Sequence, residues 1–124
     1  MKRDMDLIRA ILAKAEASEP DESVASVDGW DQPDFAYNVW LMREAGLVVA
    51  TVIAADNRVA YAAHVSSLTW DGHDFLDAVR SDSIWDKTKA AVLDVSGSAA
   101  FDVIKQLAGA IALKAALAHL GLPT

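Results

Sequence analysis

"LVVATVIAADNRVAYAAHVSSL", residues 47–68, decides the fold. Residues 47–54 are dense in β-branched side chains and read as a strand. "ADNR", residues 55–58, has turn chemistry, and residues 59–68 form a second, weaker strand. The two make a hairpin whose only Asp, Glu, Lys or Arg side chains are Asp56 and Arg58 in the turn. Neither strand buries its face alone, so helices must flank it.

They are present on both sides. Residues 34–45 bring Phe35, Val39 and Met42 to one stripe, with Trp40 and Leu41 beside it. Pro33 suits the first turn, and Gly46 ends the helix in a left-handed cap. After the hairpin, Thr69 caps a helix over about 70–80, with Phe75, Leu76 and Val79 inward. Ser81 or Ser83 starts another, carrying Ile84, Trp85, Thr88 and Val92, and "SGS" at 96–98 interrupts the chain. At the N-terminus, residues 4–17 place Leu7, Ile8, Ile11, Leu12 and Ala15 on one face, capped by Asp4 or Asp6. Pro20 stops that helix, and Val24–Val27 is a candidate short strand. A last helix over 99–120 ends at Gly121 and Pro123. The expected fold class is α+β, with residues 1–95 as one domain and 96–124 as an apolar, alanine-rich helix packed on it, on a second copy, or on both.

The 124 residues suffice for one domain with a real core. Without cysteine there are no disulfides, thiolate metal sites or cysteine nucleophiles, which suits a reducing cytoplasm. The start, "MKRDMDLIRA", lacks the apolar stretch of a signal peptide. Net charge is −7, and residues 16–34 hold seven acids (Glu16, Glu19, Asp21, Glu22, Asp28, Asp31, Asp34) with no Lys or Arg. Bulk nucleic acid repels such a chain. The acidic segment reads as a solvated loop or as a face for a basic partner.

Three blocks carry a family resemblance: "MKRDMDLIRAIL" at the start, "YNVWLMREAGLV" at 37–48 and "LTWDGHDFLDAVRSDSIWDKTK" at 68–89. Together they resemble domain-of-unknown-function family 2513, small bacterial proteins often carried by phages and prophages. The resemblance implies a winged helix-turn-helix-like fold and no chemistry. The second block often has His where this chain has Asn38. Only one clear helix lies between the short strand and the hairpin, where a DNA-reading winged helix normally has two.

Two functions from different classes follow. A DNA-binding regulator would use Gln32, Tyr37, Asn38 and Arg43 on the 34–45 helix, with Asn57 and Arg58 in the hairpin turn. Asn38 would read adenine and Arg58 would enter a minor groove. An acidic protein-interaction module, such as an inhibitor of a host factor, would use residues 16–34 or the fold itself. Within 68–89, Trp70, Gly72, His73 and Trp85 read as a structural junction. Gly72 allows close approach to the hairpin, His73 bonds across it, and the tryptophans are buried bodies. His73 and Asp77 share a helix face but offer too few ligands for a metal. No phosphate loop, nucleophile elbow or His-Glu-x-x-His is present, so neither catalysis nor a cofactor is expected.

The last helix carries only Asp102, Lys105 and Lys114 as formal charges between 99 and 120. Phe101, Ile104, Ala108, Ile111, Ala115 and Ala118 form a stripe that suits a homodimer seam or burial within the chain. Lys105, Gln106 and Lys114 interrupt it too often for a membrane span.

Overall fold

The computed structural model describes residues 2–54, 60–95 and 101–121, and the side chains of these except 92–95 and 101–103. The fold is α+β: among the described residues, five helices and one two-stranded antiparallel sheet. The order is α1 (Met5–Ala17), α2 (Gln32–Glu44), β1 (Val48–Ala54), β2 (Ala60–Leu68), α3 (Trp70–Val79), α4 (Asp82–Val95) and α5 (Phe101–His119).

The chain divides into two compact units, Met1–Leu76 and Asp77–Thr124. The terminal segment expected to begin at 96 is thus grouped with α4. The first unit holds most of the core. Leu7, Ile8, Ile11 and Leu12 of α1 are buried, as are Phe35, Ala36, Val39 and Met42 of α2. Both helices pack on the strands, α1 against β2 and α2 against both. Each large buried side chain there contributes about 1.5–3 kcal/mol.

β1 and β2 pair with Val48 opposite Leu68 and Thr51 opposite His64. Two register shifts, between Val49 and Ala50 and between Ile53 and Ala54, leave Ser66 and Tyr61 as extra residues on β2. β1 itself stays regular. The short strand expected at Val24–Val27 is a single bridge, Val24 to Val65, with N···O distances of 2.9 Å in both directions. β2 is therefore flanked on both edges, and β1 on one.

Local rules set the junctions. Asp4 caps α1 by accepting from the Leu7 N–H, and Asp31 caps α2 by accepting from the Asp34 N–H. That second cap starts α2 two residues before the expected Asp34. Gly46 has φ +78°, the left-handed residue that closes α2. Thr69 caps α3: its Oγ1 accepts from the Gly72 N–H at 3.1 Å and donates to the Gly46 carbonyl at 2.5 Å. Gly72 presses on the start of β1 so closely that a Cβ there would meet the Leu47 carbonyl oxygen. That same oxygen accepts from the Thr69 N–H at 3.0 Å.

In the second unit, the Ser81 hydroxyl accepts from the Ile84 N–H at 3.3 Å at the start of α4. Trp85 and Thr88 are buried, and the Lys89 ammonium lies 5.7 Å from the Trp85 ring centroid. α5 packs against α4.

Two expectations are corrected, and the α5 stripe divides between its two readings. Trp70 is not a buried body; it is 83% exposed. The buried Gly72, Phe75, Leu76 and Val79 share one side of α3, and at 100° per residue Trp70 lies opposite them. His73 does not bond across to the strands; its half-exposed imidazole faces Glu16 of α1, Nδ1 to Oε2 at 3.7 Å. Nor is the α5 stripe open along its length. Ile104 and Ala108 are already buried within the chain, Ile111 is half-buried, and Ala115 and Ala118 are exposed. The Phe101 side chain lies outside the described side chains.

Candidate functional site

α2 carries most of the residues nominated for recognition, and its phase sorts them. Phe35, Ala36, Asn38, Val39 and Met42 are buried. Pro33, Trp40 and Glu44 are exposed, and Tyr37 and Leu41 half-buried, on the opposite side.

Asn38 belongs to the buried side, which overturns its expected role as a base reader. Its Oδ1 accepts the Asp4 N–H at 2.8 Å, and its Nδ2 donates to the Asp34 carbonyl at 2.9 Å and the Lys2 carbonyl at 3.3 Å. The amide is fully buried, with both ends engaged. Asp4 extends the network. One carboxylate oxygen caps α1 at Leu7, and the other accepts the Trp30 indole N–H at 3.0 Å. Four segments, residues 2–4, α1, the 25–31 loop and α2, are thus held by one polar clasp. Sequence reading missed Trp30 and Asp4 as partners. A tryptophan beside the start of a helix needs an acceptor for its N–H, and that was the available signal.

The other nominated residues are dispersed. The Gln32 amide donates to the Ala25 carbonyl at 2.9 Å, which pins the loop onto α2. Arg43 lies 4.0 Å from the Glu44 carboxylate at the exposed end of the helix. Asn57 and Arg58 lie outside the described residues. Tyr37 alone sits within a cluster: its ring centroid is 5.8 Å from that of Trp40, tilted by 46°.

What α2 presents is therefore an aromatic and aliphatic strip of Pro33, Tyr37, Trp40 and Leu41, bordered by Asp34 and Glu44. Trp40 is 38% exposed. The strip contains no cation. The acidic loop leads directly into it through Asp28 and Asp31, both exposed. Lys14 of α1 is turned toward this loop, its ammonium donating to the Ser26 carbonyl at 2.6 Å.

Among the described residues, no three His, Asp or Glu side chains converge in a way that could hold a metal ion. None of the described helices is long and apolar enough to cross a membrane.

Comparison with known proteins gives a family match over residues 2–99, to the family described as "Hypothetical protein (DUF2513)". The chain belongs to the DUF2513 family. The match spans α1 to α4 and stops short of α5. A similar relative is an "Uncharacterized protein" of Haemophilus influenzae (strain Rd), 35% identical over 114 residues, covering 90% of this chain and 95% of the relative. No solved structure matches the chain. The DUF2513 match contains the whole clasp (Asp4, Trp30, Asn38) and the aromatic strip of α2.

Proposed function

We propose that this DUF2513 protein is a non-catalytic regulatory module that binds another protein through the outward strip of α2. The observation that carries the reading is the strip itself. Tyr37 and Trp40 stand in ring contact on a helix face that offers apolar area and acid, and Arg43, the cation beside it, lies 4.0 Å from the Glu44 carboxylate. Aromatic side chains supply large contact area at low entropic cost and dominate the binding energy of protein interfaces. Asp31, Asp34 and Glu44 at the border select for a partner segment carrying Lys or Arg beside an apolar anchor. A guanidinium over Trp40 would add a cation–π contact. The phage or prophage setting that accompanies the resemblance suits such a regulator, for example one that disables a host factor.

A peptide library displayed on phage tests this. The wild-type protein should enrich basic peptides with an apolar residue, and Trp40→Ala should lose them while its circular dichroism stays unchanged. Enrichment that survives both Trp40→Ala and Tyr37→Ala would remove the strip from the reading.

One observation favours DNA instead. Val24 bridges to β2, and β2 pairs with β1, so the strands lie in the order of a winged helix, with α1 before them and α2 in the place of the recognition helix. The second helix of that motif is replaced by the 25–31 loop. In this reading the protein is winged-helix-like and grips duplex through α2 and residues Asn57 and Arg58, which lie outside the described residues. Fluorescence anisotropy with duplex at low salt separates the two: salt-sensitive binding supports DNA, and its absence supports the protein partner.

A further inference from the structure

β1 has one strand neighbour among the described residues, so its second edge offers unpaired backbone N–H and C=O groups. Soluble proteins protect such edges with lysine, proline, bulges or shortness. β1 does none of this. It is seven residues long, "VVATVIA", without charge or proline, and both register irregularities fall on β2. Its outward-facing side chains are open: Val49 is 54% exposed and Ile53 43% exposed, with Thr51 exposed between them.

We infer that this edge pairs with the same edge of a second copy, antiparallel, to form a four-stranded sheet across a dyad at Thr51. Two features of the chain favour a second copy as the occupant. The first is register. A dyad at Thr51 sets Val49 against the partner's Ile53, Thr51 against the partner's Thr51, and Ala50 against the partner's Val52. The exposed β-branched residues therefore meet one another, the pairing that stabilises antiparallel sheets.

The second is charge. At −7, two copies repel wherever acidic elements approach, and acids line α1, the 16–34 segment, α2, α3 and α4. Residues 48–54 and 60–68 contain no Asp, Glu, Lys or Arg, so two copies can meet at the sheet without like charges opposed. An interface confined to one seven-residue edge is small, so the dimer is expected to exchange and to rise with concentration.

The chain has no cysteine, which makes single-thiol variants clean reporters. Antiparallel partners have Cα atoms about 4.5–5.5 Å apart, within disulfide range, so Thr51→Cys should form a covalent dimer on mild oxidation. Val49→Cys should not, because four residues at about 3.3 Å each separate its two copies along the strands. An equimolar mixture of Val49→Cys and Ile53→Cys chains should cross-link again. Light scattering of the full wild-type chain should climb from 13.3 kDa toward twice that mass with concentration. Thr51→Lys should hold it at the monomer mass with unchanged circular dichroism, since two like charges would face each other at the dyad. A monomer at every concentration, or a dimer in which Thr51→Cys stays reduced, overturns the inference.

Discussion

Gly72 and Gly109 both lie within helices, α3 and α5, and the same change to alanine should move stability in opposite directions. Alanine is worth up to about 1 kcal/mol over glycine in a helix interior. At Gly109 a Cβ would meet nothing within 4 Å, so that gain should appear almost undiminished. At Gly72 the new methyl collides with the Leu47 carbonyl, with the Leu47 carbonyl carbon at 3.1 Å and the Leu68 Cβ at 3.4 Å. Backbone cannot swing aside as a side-chain tip can. Overpacking of this kind costs about 1–3 kcal/mol. The displaced carbonyl is also the acceptor of the Thr69 N–H, a bond worth about 1 kcal/mol. The propensity gain does not offset these, and the net loss should be about 2 kcal/mol.

The assay is thermal unfolding followed by circular dichroism. For a chain of this size 1 kcal/mol moves Tm by about 4 °C, so Gly72→Ala should unfold about 8 °C lower and Gly109→Ala a few degrees higher. A Gly72→Ala protein as stable as wild type would refute the close packing of α3 on the start of β1.

Three further outcomes follow from the clasp and from the surface of α3. Asn38→Ala removes the side-chain partner of the Asp4 N–H and of the Lys2 carbonyl at a part-buried site, while the Asp34 carbonyl keeps its helical bond, and should lower stability by about 2 kcal/mol in urea unfolding. Trp30→Phe removes only the bond to Asp4 and should cost about 1 kcal/mol in the same measurement. Trp70→Ala, at a position 83% exposed, should leave the urea midpoint within error, shifting stability by less than about 0.5 kcal/mol.

Local chemistry made much of the fold legible. The strand pair, the caps at Asp4 and Thr69, the left-handed Gly46 and the tight approach at Gly72 each follow from a few neighbouring residues. The α1 stripe of Leu7, Ile8, Ile11 and Leu12 is equally local and is fully buried. Side-chain direction was read less well where residue type and helical phase disagreed. Asn38 is polar, but it sits in phase with Phe35, Val39 and Met42, and the partners that make its burial tolerable come from residues 2 and 4, more than thirty positions away. Trp70 is large and apolar, but it is out of phase with Phe75, Leu76 and Val79. In both cases phase won. The exposed strip of α2 was legible by the same rule: once Phe35 and Met42 face inward, Trp40 and Glu44 must face out.

Topology and electrostatics point α2 toward different partners, and their magnitudes decide between them. A helix that docks in a groove earns its affinity from phosphates, with the logarithm of the binding constant falling by about 0.9 per neutralised phosphate for each decade of salt. On α2 the cation available is Arg43, and Glu44 sits beside it at 4.0 Å. Asn38, the side chain suited to adenine, is consumed by the clasp. The loop that leads into α2 adds two exposed acids, Asp28 and Asp31, which would repel phosphates. Against this, truncation of one aromatic anchor costs a protein interface about 2 kcal/mol or more. On the proposed reading, then, α2 offers aromatic area where a groove-binding helix would need charge, and that balance favours a protein partner over a nucleic acid.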